Sequence, residues 1–184
     1  MNEAQFVIAM QSVVFATPWM VTVAIVCARY LIFTTLLVGA WLLKSKKPLE
    51  RHAAYEAAWA ALLAIIVTSI LSHFIGRARP FLGDPGVALL ISPPFNTSFP
   101  SGHTAASVAI ACAVWFANKE LGTIAFVIAA FVAVGRIAVG VHYPTDILGG
   151  LFVGVLSFGL VRLIHHELAR RDIVKSALQH HHDV

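Results

Sequence analysis

The stretch Ala54–Phe74, AYEAAWAALLAIIVTSILSHF, holds one charged residue, Glu56, near its start and is otherwise dominated by Ala, Leu, Ile and Val. A bilayer core is crossed by about 20 predominantly apolar helical residues, within a range of about 17–25. This segment meets that length without a Pro or Gly to break it. Four further apolar stretches flank it, at about Trp19–Leu43, His103–Ala117, Leu121–Gly140 and Pro144–Ile164. The third of the five spans, His103–Ala117, is the shortest. Backbone polar groups must pair internally in lipid, and an alternating strand pattern is absent, so helices are expected and a barrel is not. The predicted fold is all-α: a polytopic membrane helix bundle of about five transmembrane helices. Phe6, Val7, Ile8, Met10, Val13, Val14 and Phe15 lie in a segment too short to cross and return, and this predicts an N-terminal interfacial helix.

Composition points the same way. Only 12% of the 184 residues are charged and 59% are hydrophobic, whereas a soluble domain carries about 25% charged residues. The net charge of +4 fits basic loops against an anionic membrane face rather than a nucleic-acid surface. Nine of the thirteen Lys and Arg residues fall on one predicted side. They are Lys44, Lys46, Lys47 and Arg51 after the first span, Lys119 after the third, and Arg162, Arg170, Arg171 and Lys175 after the fifth. The positive-inside rule makes that side cytoplasmic, including a tail over 165–184. One domain is expected over 1–184. Met1-Asn2-Glu3 lacks the positive segment of a cleavable signal. Cys27 and Cys112 sit in apolar stretches and read as small buried hydrophobes rather than a disulfide. The run His180-His181-His182 reads as a solvated tail, and Asn96-Thr97-Ser98 as a chance match to a glycosylation acceptor.

Four arginines depart from the basic side: Arg29, Arg77, Arg79 and Arg136. Arg29 lies within the first apolar stretch, where it either lines a headgroup cavity or snorkels to the interface. The other three accompany short polar stretches, Gly76-Arg77-Ala78-Arg79-Pro80-Phe81, Phe99-Pro100-Ser101-Gly102-His103-Thr104, and Arg136 with His142-Tyr143-Pro144-Thr145-Asp146. With five spans, all three stretches fall on the outer face. Arginine is a permanently charged planar fork suited to phosphate oxygens, so Arg77, Arg79 and Arg136 can surround a phosphoryl group. Ser101 and Gly102 precede a helix, whose first N–H groups favour an anion. Phosphoryl transfer can use two histidines, one as nucleophile and one as general acid and base. Pro144 suits the first helical position, which puts Asp146 in the first turn and within reach of His142. A carboxylate there fixes the imidazole tautomer and stabilises the cation formed on attack. His142 is therefore assigned as nucleophile, Asp146 as its orienter and His103 as general acid/base. Thr104, Tyr143 and His73 lie close by with weaker claims, and His52 reads as a loop residue. Gly150 and Gly154 form a small-xxx-small pattern suited to close packing inside the bundle.

These stretches resemble the signature of the type-2 phosphatidic acid phosphatase superfamily: Lys, six residues, Arg-Pro; then Pro-Ser-Gly-His; then Ser-Arg, five residues, His, three residues, Asp. The matching residues are Arg79-Pro80, Pro100-Ser101-Gly102-His103, and Arg136, His142 and Asp146, within a motif-bearing core of about 72–150. Two positions depart: Ser72 stands where the family has lysine, and Gly135 where it has serine. The resemblance implies a metal-independent lipid phosphatase with no cofactor, in which Arg79, Ser101, Gly102 and Arg136 bind phosphate. Arg77 is expected to replace the missing lysine's charge. The Arg-x-Arg-Pro-Phe stretch and short length resemble bacterial undecaprenyl-diphosphate phosphatases. This implies an inner-membrane enzyme with an outward-facing site, whose partners are a lipid phosphate or diphosphate and membrane lipids. Phosphatidylglycerophosphate, phosphatidate and lipid A phosphates are competing substrates. Phosphoryl transfer to an alcohol is a second enzymatic reading, and a membrane anion transporter is the reading from another class. Vanadium haloperoxidases share the phosphate-binding pattern but are soluble.

Overall fold

The computed structural model describes residues 2–95 and 97–182, with side chains as far as Arg171. Asn96, Lys175 and His180, His181 and His182 therefore lie outside the described residues or side chains. The helices are α1 (Glu3–Phe15), α2 (Pro18–Arg29), α3 (Leu31–Trp41), α4 (Pro48–Ile75), the short α5 (Pro80–Gly83), α6 (Gly102–Ala117), α7 (Lys119–Ala138) and α8 (Pro144–His182). No strand occurs among the described residues.

Local chemistry sets the ends of these helices. Asn2 and Gln5 form a reciprocal capping box at the start of α1. Proline stands at the first helical position of α2, α4 and α5, as it does at the start of α8, where its missing N–H is no loss. α4 stops at Gly76, which takes a left-handed φ of 63° and returns its N–H to the Ser72 carbonyl. Asn118 is the sole residue between α6 and α7, and its side chain caps Leu121 N.

α4, α7 and α8 are each long and apolar enough to cross a membrane, and α2 with α3 forms a broken span bent by 47° at Tyr30. α6 corresponds to the third expected span. It has 16 residues, or about 24 Å at 1.5 Å per residue, shorter than the bilayer core. Its position explains the tolerance: from Thr104 to Val114 it is almost wholly buried between α3, α4, α7 and α8, and only its last turn is exposed, at Trp115 and Phe116. α1 packs on α2 and α7 without spanning.

The burial pattern is that of a membrane bundle. The core is built of small residues: Ala53, Ala57, Ala60 and Ala64 on one face of α4, and Ala105, Ala109 and Ala113 on α6. Large side chains such as Trp59, Ile66, Phe74, Phe152 and Leu163 point outward. Lipid is as apolar as leucine, so helices associate through close packing of small residues. Gly150 and Gly154 behave as the sequence predicts. A Cβ at Gly150 would lie 2.6 Å from Ser101 O, and one at Gly154 would lie 2.5 Å from Ala105 O. Both glycines pack α8 on α6 inside the bundle.

The basic loops gather at one end. Glu50 on α4 accepts from Asn118 at 3.3 Å, and buried Glu56 pairs with Arg162 at 2.8 Å and with His165 at 3.2 Å. The polar stretches gather at the other end.

Substituting Gly154 by Val overpacks the α6–α8 contact and costs roughly 1–3 kcal/mol, read as a lower unfolding midpoint in detergent. A Cβ at Gly159 meets nothing within 4 Å, so G159A leaves the midpoint unchanged or raised. Equal midpoints for wild type and G154V would contradict this account of the packing.

Candidate active site

Asp146 is the third residue of α8 and is fully buried. Its Oδ2 accepts from Tyr143 N at 2.7 Å, closing the first turn of the helix backward. The same oxygen accepts from Ser98 Oγ, and Oδ1 accepts from Arg77 Nη1 at 2.7 Å. His142 Nδ1 lies 3.5 Å from Oδ2, an ion-pair distance at the limit of hydrogen bonding. Ser98 N also donates to the Arg77 carbonyl at 2.8 Å, and Ser101 N to the Asp146 carbonyl at 3.0 Å. Three segments remote along the chain thus meet at one carboxylate.

His142 sits in the loop between α7 and α8 and is only 2% exposed. With Nδ1 turned to Asp146, its Nε2 faces Arg79 Nη1 at 3.5 Å. His142 Nδ1 makes no hydrogen bond among the described residues and faces Asp146 at ion-pair distance; an Nδ1–H tautomer, the one that a carboxylate there favours, leaves the Nε2 lone pair for chemistry. Burial is the main reason that its pKa falls from 6.5 to about 4, and the charges of Arg136 and Arg79 add to the fall while Asp146 opposes it. The ring is therefore neutral at pH 7.

Arg79 precedes α5 and is 3% exposed, and its Nη1 donates to the Val141 carbonyl at 2.7 Å. Arg136, near the end of α7, is 5% exposed. Its Nη1 donates to the Ala28 carbonyl at 3.3 Å beside the α2–α3 break, and its Nε is buried with no hydrogen-bond partner among the described residues. A buried donor without an acceptor costs about 1–3 kcal/mol, so an arriving anion gains by meeting it. Ser101 caps α6 without a side-chain bond to the helix N–H groups; its hydroxyl accepts from Thr104 Oγ1 at 3.0 Å instead. The first-turn N–H groups of α6 beside Gly102 and His103 are thus left for an anion. His103 shares the electrostatic field of Arg136, His142 and Arg79.

Arg77, expected among the phosphate ligands, has both terminal nitrogens on carboxylates. Nη1 is on Asp146, and Nη2 is on Glu3 of α1 at 2.5 Å. Its guanidinium also lies 4.3 Å from the Tyr143 ring centroid. At the two positions that depart from the family signature, the residues present have structural partners. Ser72 shares a 2.7 Å hydroxyl contact with Thr97, whose Oγ1 also lies 2.6 Å from the Ser72 carbonyl. A Cβ at Gly135 would lie 2.7 Å from Ala28 N, so α7 approaches α2 too closely there for a serine. Arg29 is exposed, its guanidinium 5.8 Å from the Tyr30 ring, and His73 is exposed beside Phe74; neither joins the site.

Sequence reasoning missed Ser98, Glu3 and Gln11. Buried Gln11 donates to the Ala88 and Ala138 carbonyls at 2.7 and 3.1 Å and accepts from Ala88 N at 2.9 Å, tying α1 to the segment between α5 and α6 and to the end of α7. A polar Gln11 within an apolar helical run was the one available signal. Ser98 and Glu3 carried none, because their partners are distant in sequence.

Ring-nitrogen NMR of His142 is expected to show titration near pH 4 rather than near 6.5. The unfolded chain takes up this proton below about pH 6.5 while the folded chain refuses it until about pH 4, so stability falls with pH across that window. Titration of His142 near 6.5 in the folded protein would contradict the burial argument.

Comparison with known proteins follows the same residues. The description of the PAP2 superfamily matches residues 53–170. The bacitracin transport permease protein BcrC of Bacillus licheniformis is 35% identical over 121 residues, covering 66% of this chain and 59% of the relative. The undecaprenyl-diphosphatase BcrC of Bacillus subtilis is 29% identical over 124 residues, covering 67% of this chain and 63% of the relative. The chain thus spans about three fifths of the length of these two curated relatives. The crystal structure of a transmembrane PAP2 type phosphatidylglycerolphosphate phosphatase from Bacillus subtilis superposes with a TM-score of 0.63 at 25% identity, covering 91% of this chain and 88% of that one.

Proposed function

Because the chain belongs to the PAP2 superfamily, we propose that it is a lipid phosphate phosphatase that converts undecaprenyl diphosphate to undecaprenyl phosphate through a phosphohistidine. The observation that carries this reading is the neutral, buried His142 held between Asp146 and Arg79, with an unpartnered Arg136 N–H nearby. A transferring phosphoryl group spreads its charge over three equatorial oxygens. Arg79, Arg136, Ser101, Gly102 and the N-terminal N–H groups of α6 hold those oxygens. His142 Nε2 attacks the terminal phosphorus, and the bond from phosphorus to the bridging oxygen breaks. His103 gives that oxygen a proton, and Asp146 stabilises the charge left on the His142 ring. Water, losing a proton to His103, then attacks phosphorus; the N–P bond breaks, inorganic phosphate leaves and His142 is restored. Arg77 holds Asp146 rather than phosphate, because both its terminal nitrogens already face carboxylates.

A lipid substrate is supported by an apolar groove of about 460 Å³ between α1, α2 and α7. Its lining includes Met10, Val23, Cys27 and Gly135, the last adjacent to Arg136. The substrate choice is supported by the Bacillus subtilis undecaprenyl-diphosphatase, with phosphatidylglycerophosphate as the competitor suggested by the superposed phosphatase. The inner-membrane placement with an outward-facing site rests on the basic loops at the opposite end of the bundle. The name of the Bacillus licheniformis relative, a bacitracin transport permease protein, favours a second reading, a membrane transporter. A transporter has no need of a buried histidine facing a buried carboxylate.

Purified protein with EDTA present should release phosphate from undecaprenyl diphosphate faster than from phosphatidylglycerophosphate, phosphatidate or lipid A. Rapid quench with terminally labelled substrate should leave acid-labile label on the wild-type protein and none on H142A. Turnover should fall at least about 10²–10⁴-fold in H142A and in H103A. Undiminished turnover by H142A would remove the hydrolase reading, and a faster competing lipid would reassign the substrate.

A further inference from the structure

Glu3 lies in the first turn of α1, more than seventy residues from any member of the site. Its Oε1 accepts from Thr145 N at 3.0 Å and Thr145 Oγ1 at 2.6 Å, and its Oε2 accepts from Arg77 Nη2 at 2.5 Å. Arg77 Nη1 in turn donates to Thr145 Oγ1 at 2.6 Å and to Asp146 Oδ1 at 2.7 Å. The Thr145 hydroxyl gives its one proton to Glu3 and accepts from Arg77, so the three side chains close a ring on the first turn of α8.

One guanidinium is thus shared by two carboxylates. A planar fork offered a single carboxylate tends to engage both of its oxygens. Without Glu3, Arg77 is free to close on Asp146 in that way. Asp146 Oδ2, which now serves Ser98, Tyr143 N and His142, would be drawn toward the guanidinium. The Asp146–His142 contact is already long at 3.5 Å, so it is the contact with the least to lose before it fails. With its charge undivided, Arg77 would also weaken the carboxylate's support for a cationic His142.

We propose that Glu3 is a positioning residue that holds Arg77 on one oxygen of Asp146, so that the other oxygen remains for His142 and α1 completes the catalytic apparatus. This rests on the phosphatase reading above. Glu3 touches neither substrate nor reacting atoms. The rival explanation is that Glu3 only ties α1 to the bundle. Gln11 provides the control for that case, since it anchors α1 to Ala88 and Ala138 without touching the Asp146 network.

The test uses the full chain in detergent with undecaprenyl diphosphate and EDTA. E3Q is expected to lower kcat about tenfold with KM changed by less than about twofold. In a D146N background the same substitution should cost less than about twofold, because Glu3 acts through the carboxylate already removed. Q11A should lower the unfolding midpoint more than E3Q does. An unchanged kcat in E3Q, or an equal loss in both backgrounds, overturns the proposal. If wild type hydrolyses no lipid phosphate, the phosphatase reading fails, and the inference is then decided by NMR of the His142 ring nitrogens. A shifted Nδ1 resonance in E3Q, absent from the D146N pair, supports it; an unmoved resonance refutes it.

Discussion

The buried carboxylate of Asp146 organises the end of this bundle opposite the basic loops. It carries a full charge where water is excluded, and such a charge persists only when its oxygens are satisfied and a cation is near. Ser98, Tyr143 N, Arg77 and His142 together meet that demand. They come from three stretches of chain: the loop before α6, the loop after α4, and the loop between α7 and α8 that holds both His142 and Tyr143. The requirement that one charge be satisfied therefore fixes the mutual position of segments that share no local structure.

The helices below make this convergence possible. A core of alanine and glycine lets α4, α6, α7 and α8 approach closely, so that their ends come within side-chain reach. α6 illustrates the economy of the arrangement. It is too short to match a bilayer, yet its N-terminus is delivered to the site because its neighbours bury it from Thr104 to Val114. Gly135 shows how tightly the tolerance is drawn. The close approach of α7 to α2 leaves no room for a Cβ there, and it brings Arg136 to the carbonyl of Ala28 at the break in the first span.

The electrostatics of the site are deliberately uneven. Three guanidinium groups face two carboxylates, and both carboxylates lean on Arg77. Arg79 and Arg136 lie near the His142 imidazole, and Arg136 Nε is a buried donor with no acceptor among the described residues. Such an arrangement is costly when empty and favourable when an anion enters, as expected of a site preorganised for a phosphoryl group.

Much of this was legible before any coordinates. Span lengths, the sidedness of Lys and Arg, and the first-turn position of Asp146 follow from local rules of helix length, hydropathy and capping. The pairing of His142 with Asp146 is likewise a short-range consequence of a helix starting at Pro144. Arg77 was a different matter. The sequence supplied a cation two residues from Arg79, but which anion it met depended on where α1 returned to the bundle, and the nearest acceptors proved to be Glu3 and Asp146. Ser98, Gln11 and the crowding at Gly135 were invisible for the same reason. The sequence by itself determined which segments form apolar helices and which polar residues stand at their ends, because those properties are set within a few turns of chain. Only the tertiary structure decided who pairs with whom, because a buried charge takes the partner that folding brings nearest, whatever its distance along the chain.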